Sequence, residues 1–270
     1  MTIETPKESR GEGEERWTPE RIEAFWSGTQ EGVKQNLLTI FGSRFEQLRQ
    51  GNLYEEAEIQ EKIEEAMGRE RSFVVSVLSR LYDATEKSRS ERVLLFDIDE
   101  TIGTPDFPDD NTLITILRPS LMPLLSEISA PNLRIGFLST RGKEAMEQQL
   151  QDPQHLAPLR QYIDPAYVYS ARGERELMCR FDELGEKLKE EFGGESGVID
   201  EDLLGRDGEH DYPRLPGDQV KLRVLKKMRG ELEGKAVVVV DDFSYPKYLN
   251  TKNGFYGVAL REKDGAFFKP

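Results

Sequence analysis

Apolar residues follow two different spacings along this chain, and the change falls near Arg92. Before that point they recur every three or four positions. Ile22, Phe25, Trp26, Val33, Leu37, Leu38, Phe41, Phe45 and Leu48 make one stripe; Ile59, Ile63, Met67, Val74, Leu78, Leu81 and Tyr82 make a second. This spacing predicts two or more long antiparallel helices over residues 18–90. The first should open at Thr18-Pro19, a capping hydroxyl before a proline at the first helical position. A break is expected near Gly28 and a turn at Gly51-Asn52. Residues 1–17 are polar and rich in Glu, and read as a disordered tail. The helices show no chemistry, so 18–90 is expected to be an accessory region offering a surface to a partner or a second copy.

Beyond Arg92 the pattern becomes short, mostly apolar runs: Val93–Phe96, Thr112–Leu117, Leu133–Leu138 and Ala236–Val240. Such runs suit strands buried on both faces of a parallel sheet. Tyr167–Tyr169 and Gly257–Leu260 read as further strands. An amphipathic helix through Leu121, Leu124, Leu125 and Ile128 follows Arg118-Pro119. Strands alternating with helices predict an α/β domain over 91–270 with a doubly wound parallel sheet, whose ligands bind at the carboxyl ends of the strands. An insertion at about 165–217, with a helix over Arg175–Phe192 and a loop rich in Gly and Asp over Gly193–Gly217, is expected to flank the entrance. The loop Gly103–Asp110 is too short to hold a cap domain.

Polar residues close three of those runs. Asp97, Asp99 and Thr101 follow the first, Ser139 and Thr140 the second, Asp241 and Asp242 the third. Carboxylates gathered at one place repel and raise one another's pKa values, and a hard divalent cation such as Mg²⁺ removes the difficulty. Lys221, at the start of a helix read as Lys221–Met228, is the favoured cation for substrate charge; Lys226 and Lys227 should be solvated. Arg118 and Arg141 are expected in surface ion pairs, and His155 and His210 in solvated loops. Cys179 reads as a small buried apolar residue, and Trp17 and Trp26 as packing for the helices.

Composition narrows the function classes. Of 270 residues, 37% are hydrophobic and 33% charged, and the net charge of −14 argues against general nucleic-acid binding. One Cys and two His exclude a disulfide within the chain and a Cys/His zinc cluster. No run of about 18 apolar residues appears, and the first residues lack the apolar stretch of a signal peptide, so no membrane contact and a cytoplasmic location are expected.

The set Asp97-Ile98-Asp99-Glu100-Thr101, Ser139, Lys221 and Asp241-Asp242, in that order over about residues 92–262, resembles the four motifs of the haloacid dehalogenase superfamily. Asp-Glu-Thr, Arg118-Pro119 and Val-Asp-Asp-Phe-Ser make it most similar to the branch of phosphatases acting on the carboxy-terminal domain of RNA polymerase II. The resemblance implies an Mg²⁺-dependent phosphatase working through an aspartyl-phosphate on Asp97, with Asp99 as acid and base. It implies Thr101, Ser139, Thr140 and Lys221 around the phosphate or its loop, Thr101 fixing Asp99. It implies Mg²⁺ among Asp97, Asp99 (through its carbonyl), Asp241 and Asp242, with Asp242 favoured as the direct ligand. The expected substrate is a phosphorylated protein. A small-metabolite or nucleotide phosphatase of the same superfamily, and a binding module with little activity, remain alternatives.

Overall fold

The computed structural model describes residues 17–49, 56–87, 91–109, 112–173, 216–243 and 245–260. Helix α1 spans Pro19–Arg49 and helix α2 Glu56–Lys87. Thr18 caps α1: its Oγ1 accepts the amide of Arg21 and its carbonyl the amide of Ile22. Gly28 does not interrupt the helix. An exposed glycine costs a helix only about 1 kcal/mol, which the buried stripe on either side outweighs.

Five strands form one parallel sheet: β1 Arg92–Phe96, β4 Leu133–Ser139, β5 Ile163–Ser170, β6 Ala236–Asp241 and β7 Phe255–Ala259. Their spatial order is β5-β4-β1-β6-β7, so the chain first builds outward on one side of β1 and then returns to build on the other. Helices flank this sheet, an α/β arrangement compatible with a Rossmann-like fold. Alternation along β1 divides the core in two. Leu94 and Phe96 face a core shared with α1, α2, α3 (Leu121–Ile128) and Met146 of α4 (Lys143–Gln149). Val93 and Leu95 face a smaller core with Val220, Val224 and Leu225 of α5, Pro216–Lys227. The N-terminal helices therefore cover one face of the sheet: α2 lies on β6 and β7, and its Arg80 donates to the Gly257 carbonyl oxygen at 3.0 Å.

Four further expectations change. Thr112–Leu117 is strand β3, but it pairs antiparallel with β2, Gly103–Asp109, in a separate two-stranded hairpin rather than in the main sheet. The stretch expected as a loop after Asp97 is thus half of this hairpin. An apolar run cannot by itself distinguish a central parallel strand from a hairpin strand. Residues 165–170 belong to sheet strand β5, and Pro216 and Gly217, expected as the end of a loop, open a helix; residues 174–215, with Cys179, His210, the expected helix and the rest of that loop, lie outside the described residues. His155 is half-buried, its Nδ1 3.1 Å from Thr115 Oγ1 of β3, so it ties the hairpin to the turn before β5 and is not solvated. Among the described residues, no helix is long and apolar enough to cross a membrane.

Gly257 marks a close approach. A Cβ there would lie 1.7 Å from the Pro246 carbonyl oxygen, in the 3₁₀ turn Tyr245–Tyr248 that leads towards β7. Gly257→Ala must push that turn off the sheet, and a loss of roughly 1–3 kcal/mol is expected in denaturant unfolding. An unchanged unfolding midpoint would contradict this packing.

Candidate metal and phosphoryl-transfer site

Parallel pairing puts the polar strand ends side by side. Phe96 of β1 is in register with Val240 of β6 and Phe137 of β4, and the Asp97 amide donates to the Val240 carbonyl oxygen at 2.9 Å. Asp97 and Asp241 thus leave adjacent strands at the same level, with Ser139 ending β4 nearby. The chain order changes direction here, between β1 and β6, where open α/β sheets form a crevice.

Lys221 joins the two strand ends. It lies within α5, five residues after Pro216, rather than at the helix start. Val224 and Leu225, three and four residues on, are buried beside it, so helical spacing places this lysine in an apolar stripe. Its Nζ is 3.0 Å from Asp97 Oδ2 and 2.7 Å from Asp241 Oδ2, and 4.6 Å above the Phe243 ring. Burial alone would lower its pKa, but Asp241 and Asp97 outweigh that and raise it, so it stays an ammonium. Lys226 and Lys227 are exposed, as their place on the outer helix face requires.

Both oxygens of Asp241 have partners. Its Oδ2 also accepts the Tyr245 hydroxyl at 2.9 Å, and its Oδ1 accepts the Phe243 amide at 3.0 Å. Asp97 differs: its Oδ1 is buried without a hydrogen-bond partner. Asp242 is half-buried and held by Thr101, whose Oγ1 accepts the Asp242 amide at 3.0 Å and lies 3.4 Å from Asp242 Oδ1. One oxygen from each of Asp97, Asp241 and Asp242 lies within 4.8 Å of the others. Among the described residues, three carboxylates thus gather at the Lys221 ammonium. Burial, then the neighbouring carboxylates, push Asp242 up to about 8; burial pushes Asp97 up to about 6 against the pull of Lys221. An orphaned carboxylate oxygen beside a second half-buried carboxylate is a donor set that suits a hard divalent cation.

The other expected residues fall around this centre. Asp99 has a side chain 39% exposed, and Arg141 grips it through both Nε, at 3.0 Å from Oδ2, and Nη2 on Oδ1. Arg141 is held in turn by Gln149 at 2.6 Å, and Ser170 Oγ donates to its carbonyl oxygen at 2.7 Å. It is therefore part of the site's edge, and not a surface pair. Ser139 is buried, its Oγ accepting the Arg141 amide at 3.3 Å; Thr140 next to it is half-buried. Thr101 is fully buried, with its hydroxyl committed to Asp242. The loop between Asp97 and β2 closes on itself through amides of Ile102 and Gly103 on the Ile98 carbonyl, with Glu100 at φ 60°. Tyr245 carried no sequence signal, since no periodicity marks a residue in a 3₁₀ turn. Arg118 makes no surface ion pair: it is fully buried against Glu70.

Family models, curated proteins and solved structures were compared with this chain. None matched.

The raised carboxylates make stability depend on pH and on cations. Asp97 and Asp242 bind protons more tightly folded than unfolded, so their contribution is complete below about pH 4. It is lost as pH rises through about 6 and about 8. A divalent cation replaces those protons, so the thermal shift it produces should widen between about pH 5 and about pH 8. Melting curves with and without Mg²⁺ check this, and Asp242→Asn should flatten the trend. A shift independent of pH in the unmutated chain would contradict it.

Proposed function

We propose that this chain is an Mg²⁺-dependent phosphatase of the haloacid dehalogenase type, with a doubly wound sheet, that hydrolyses a phosphomonoester through an aspartyl-phosphate on Asp97. The observation that carries the reading is the state of Asp97: buried at a strand end, one oxygen on the Lys221 ammonium and the other without a partner. A structural carboxylate would satisfy both oxygens. One with a free oxygen beside a cation is equipped as a nucleophile or ligand.

In the proposed chemistry an Asp97 oxygen bonds to phosphorus as the bond from phosphorus to the ester oxygen breaks. Asp99, the exposed carboxyl two residues on, gives its proton to that leaving oxygen. It then takes a proton from the water that attacks phosphorus and frees Asp97, releasing phosphate. Lys221 stabilises the charge on the phosphoryl oxygens, and Ser139 and Thr140 line their far side. Asp97, Asp242 and the Asp99 carbonyl would hold the cation, with Asp241 close by to orient Lys221. When bound, Mg²⁺ offsets the repulsion between Asp97 and the incoming anion. The grip of Arg141 on Asp99 must loosen for proton transfer, and an anionic substrate competes for that guanidinium.

Between Asp97 and Ser139 the described residues form a hairpin, α3 and strand β4, without an inserted domain. That suits a bulky substrate, and we extend the reading to a phosphoprotein. Hydrolysis of an aryl phosphate should require Mg²⁺. It should fall roughly 10³-fold or more in Asp97→Asn, and about 10²–10⁴-fold in Asp99→Asn. Metal-independent turnover, or full activity in Asp97→Asn, would refute the mechanism. A panel of phosphopeptides and phosphorylated metabolites then decides the substrate class, with faster turnover of the peptides expected.

A further inference from the structure

Helix α2 contributes a carboxylate that no surface role explains. Glu70 and Arg118 are both without solvent access, with Arg118 Nη1 2.8 Å from Glu70 Oε1. The other carboxylate oxygen, Oε2, accepts the Ser120 amide at 3.0 Å and the Ser120 hydroxyl at 2.5 Å, ahead of α3. The guanidinium lies 4.7 Å over the Phe73 ring, also from α2. Such a pair is weak evidence for stability. An apolar pair of similar volume often serves as well or better, because the desolvation of both charges is avoided.

The partners of Arg118 supply a different reason. Its Nε donates to the Thr101 carbonyl oxygen, and its own amide donates to the Ile102 carbonyl oxygen at 2.9 Å. The Thr101 hydroxyl in turn accepts the Asp242 amide and lies against the Asp242 carboxylate. A continuous chain of contacts runs from Glu70 through Arg118 and Thr101 to the acidic cluster. We infer that Glu70 is a positioning residue: it orients the Arg118 guanidinium, which fixes the Asp99–Thr101 loop and through it Asp242. Helix α2 is thereby part of the working site rather than an appended module. This inference rests on the reading of the Asp97 centre as a cation-dependent phosphatase site.

The test uses the full chain with two variants: Glu70→Gln, and Glu70→Leu combined with Arg118→Met. Unfolding midpoints, Mn²⁺ affinity followed by the free-ion resonance signal, and kcat and KM for an aryl phosphate are measured well below the lowest midpoint. The apolar double variant leaves the Ser120 amide and the Thr101 carbonyl without these partners, so its midpoint should fall below that of the unmutated chain. Its Mn²⁺ affinity and kcat should each fall roughly 10–100-fold, with KM changing less. Glu70→Gln, which keeps the shape and part of the hydrogen bonding, should fall between the two. Unmutated Mn²⁺ affinity and kcat in the double variant would overturn the inference and leave the pair a packing device. If the double variant does not fold, Glu70→Gln decides alone, on the same two quantities. A chain that binds Mn²⁺ but hydrolyses no phosphate overturns the phosphatase reading, while the Mn²⁺ comparison still judges Glu70. A chain that binds no Mn²⁺ overturns both.

Discussion

The ammonium of Lys221, buried between Asp97 and Asp241, is the interaction on which the rest of the site depends. Taking a lysine and two carboxylates out of water costs several kcal/mol for each charge, and the cost is recovered only where geometry and further hydrogen bonds satisfy them. Asp241 meets that condition, with Lys221, Tyr245 and the Phe243 amide around it. It is the anchor that keeps Lys221 charged and aimed. Asp97 shares the same ammonium but keeps an oxygen in hand. The two carboxylates on adjacent strands thus differ in kind: one is structural, the other is poised.

The sheet makes that difference possible. Parallel register sets the ends of β1 and β6 level, and the strand order reverses beside β1, the place where open α/β sheets form a crevice. Asp242, one residue past the anchor, then joins Asp97 and adds negative charge that Lys221 alone cannot balance. Thr101 holds Asp242 from the neighbouring loop, and Arg141 holds Asp99 at the outer rim. Carboxylates of one chemical type are sorted by position into anchor, ligand, nucleophile and proton carrier in the proposed chemistry.

Much of this centre was legible in the sequence because buried parallel strands leave a trace: an apolar run closed by polar residues. Asp97, Ser139, Asp241 and Asp242 could be read that way. Lys221 was legible from its type, and its place three and four residues before Val224 and Leu225 marks the buried face of its helix. Thr112–Leu117 misled because an apolar run does not state its partner, and β3 pairs with β2 rather than with β1. Arg118 and Arg141 were illegible for another reason. Their partners Glu70 and Asp99 lie far away in the chain, and a charged residue carries no sequence mark of burial. The helices before Arg92 showed their apolar stripes but not what the stripes cover. That they cover the sheet, with Glu70 inside the core, is tertiary information.

The central claim is that Asp97 carries the phosphoryl group. The direct measurement is mass spectrometry of peptides from the full chain, acid-quenched during turnover of an aryl phosphate with Mg²⁺ present. The proposed chemistry predicts one added phosphoryl group on the peptide containing Asp97, removed by hydroxylamine and missing from Asp97→Asn. A turning-over chain whose Asp97 peptide never gains that mass, or gains it on another residue, would contradict it.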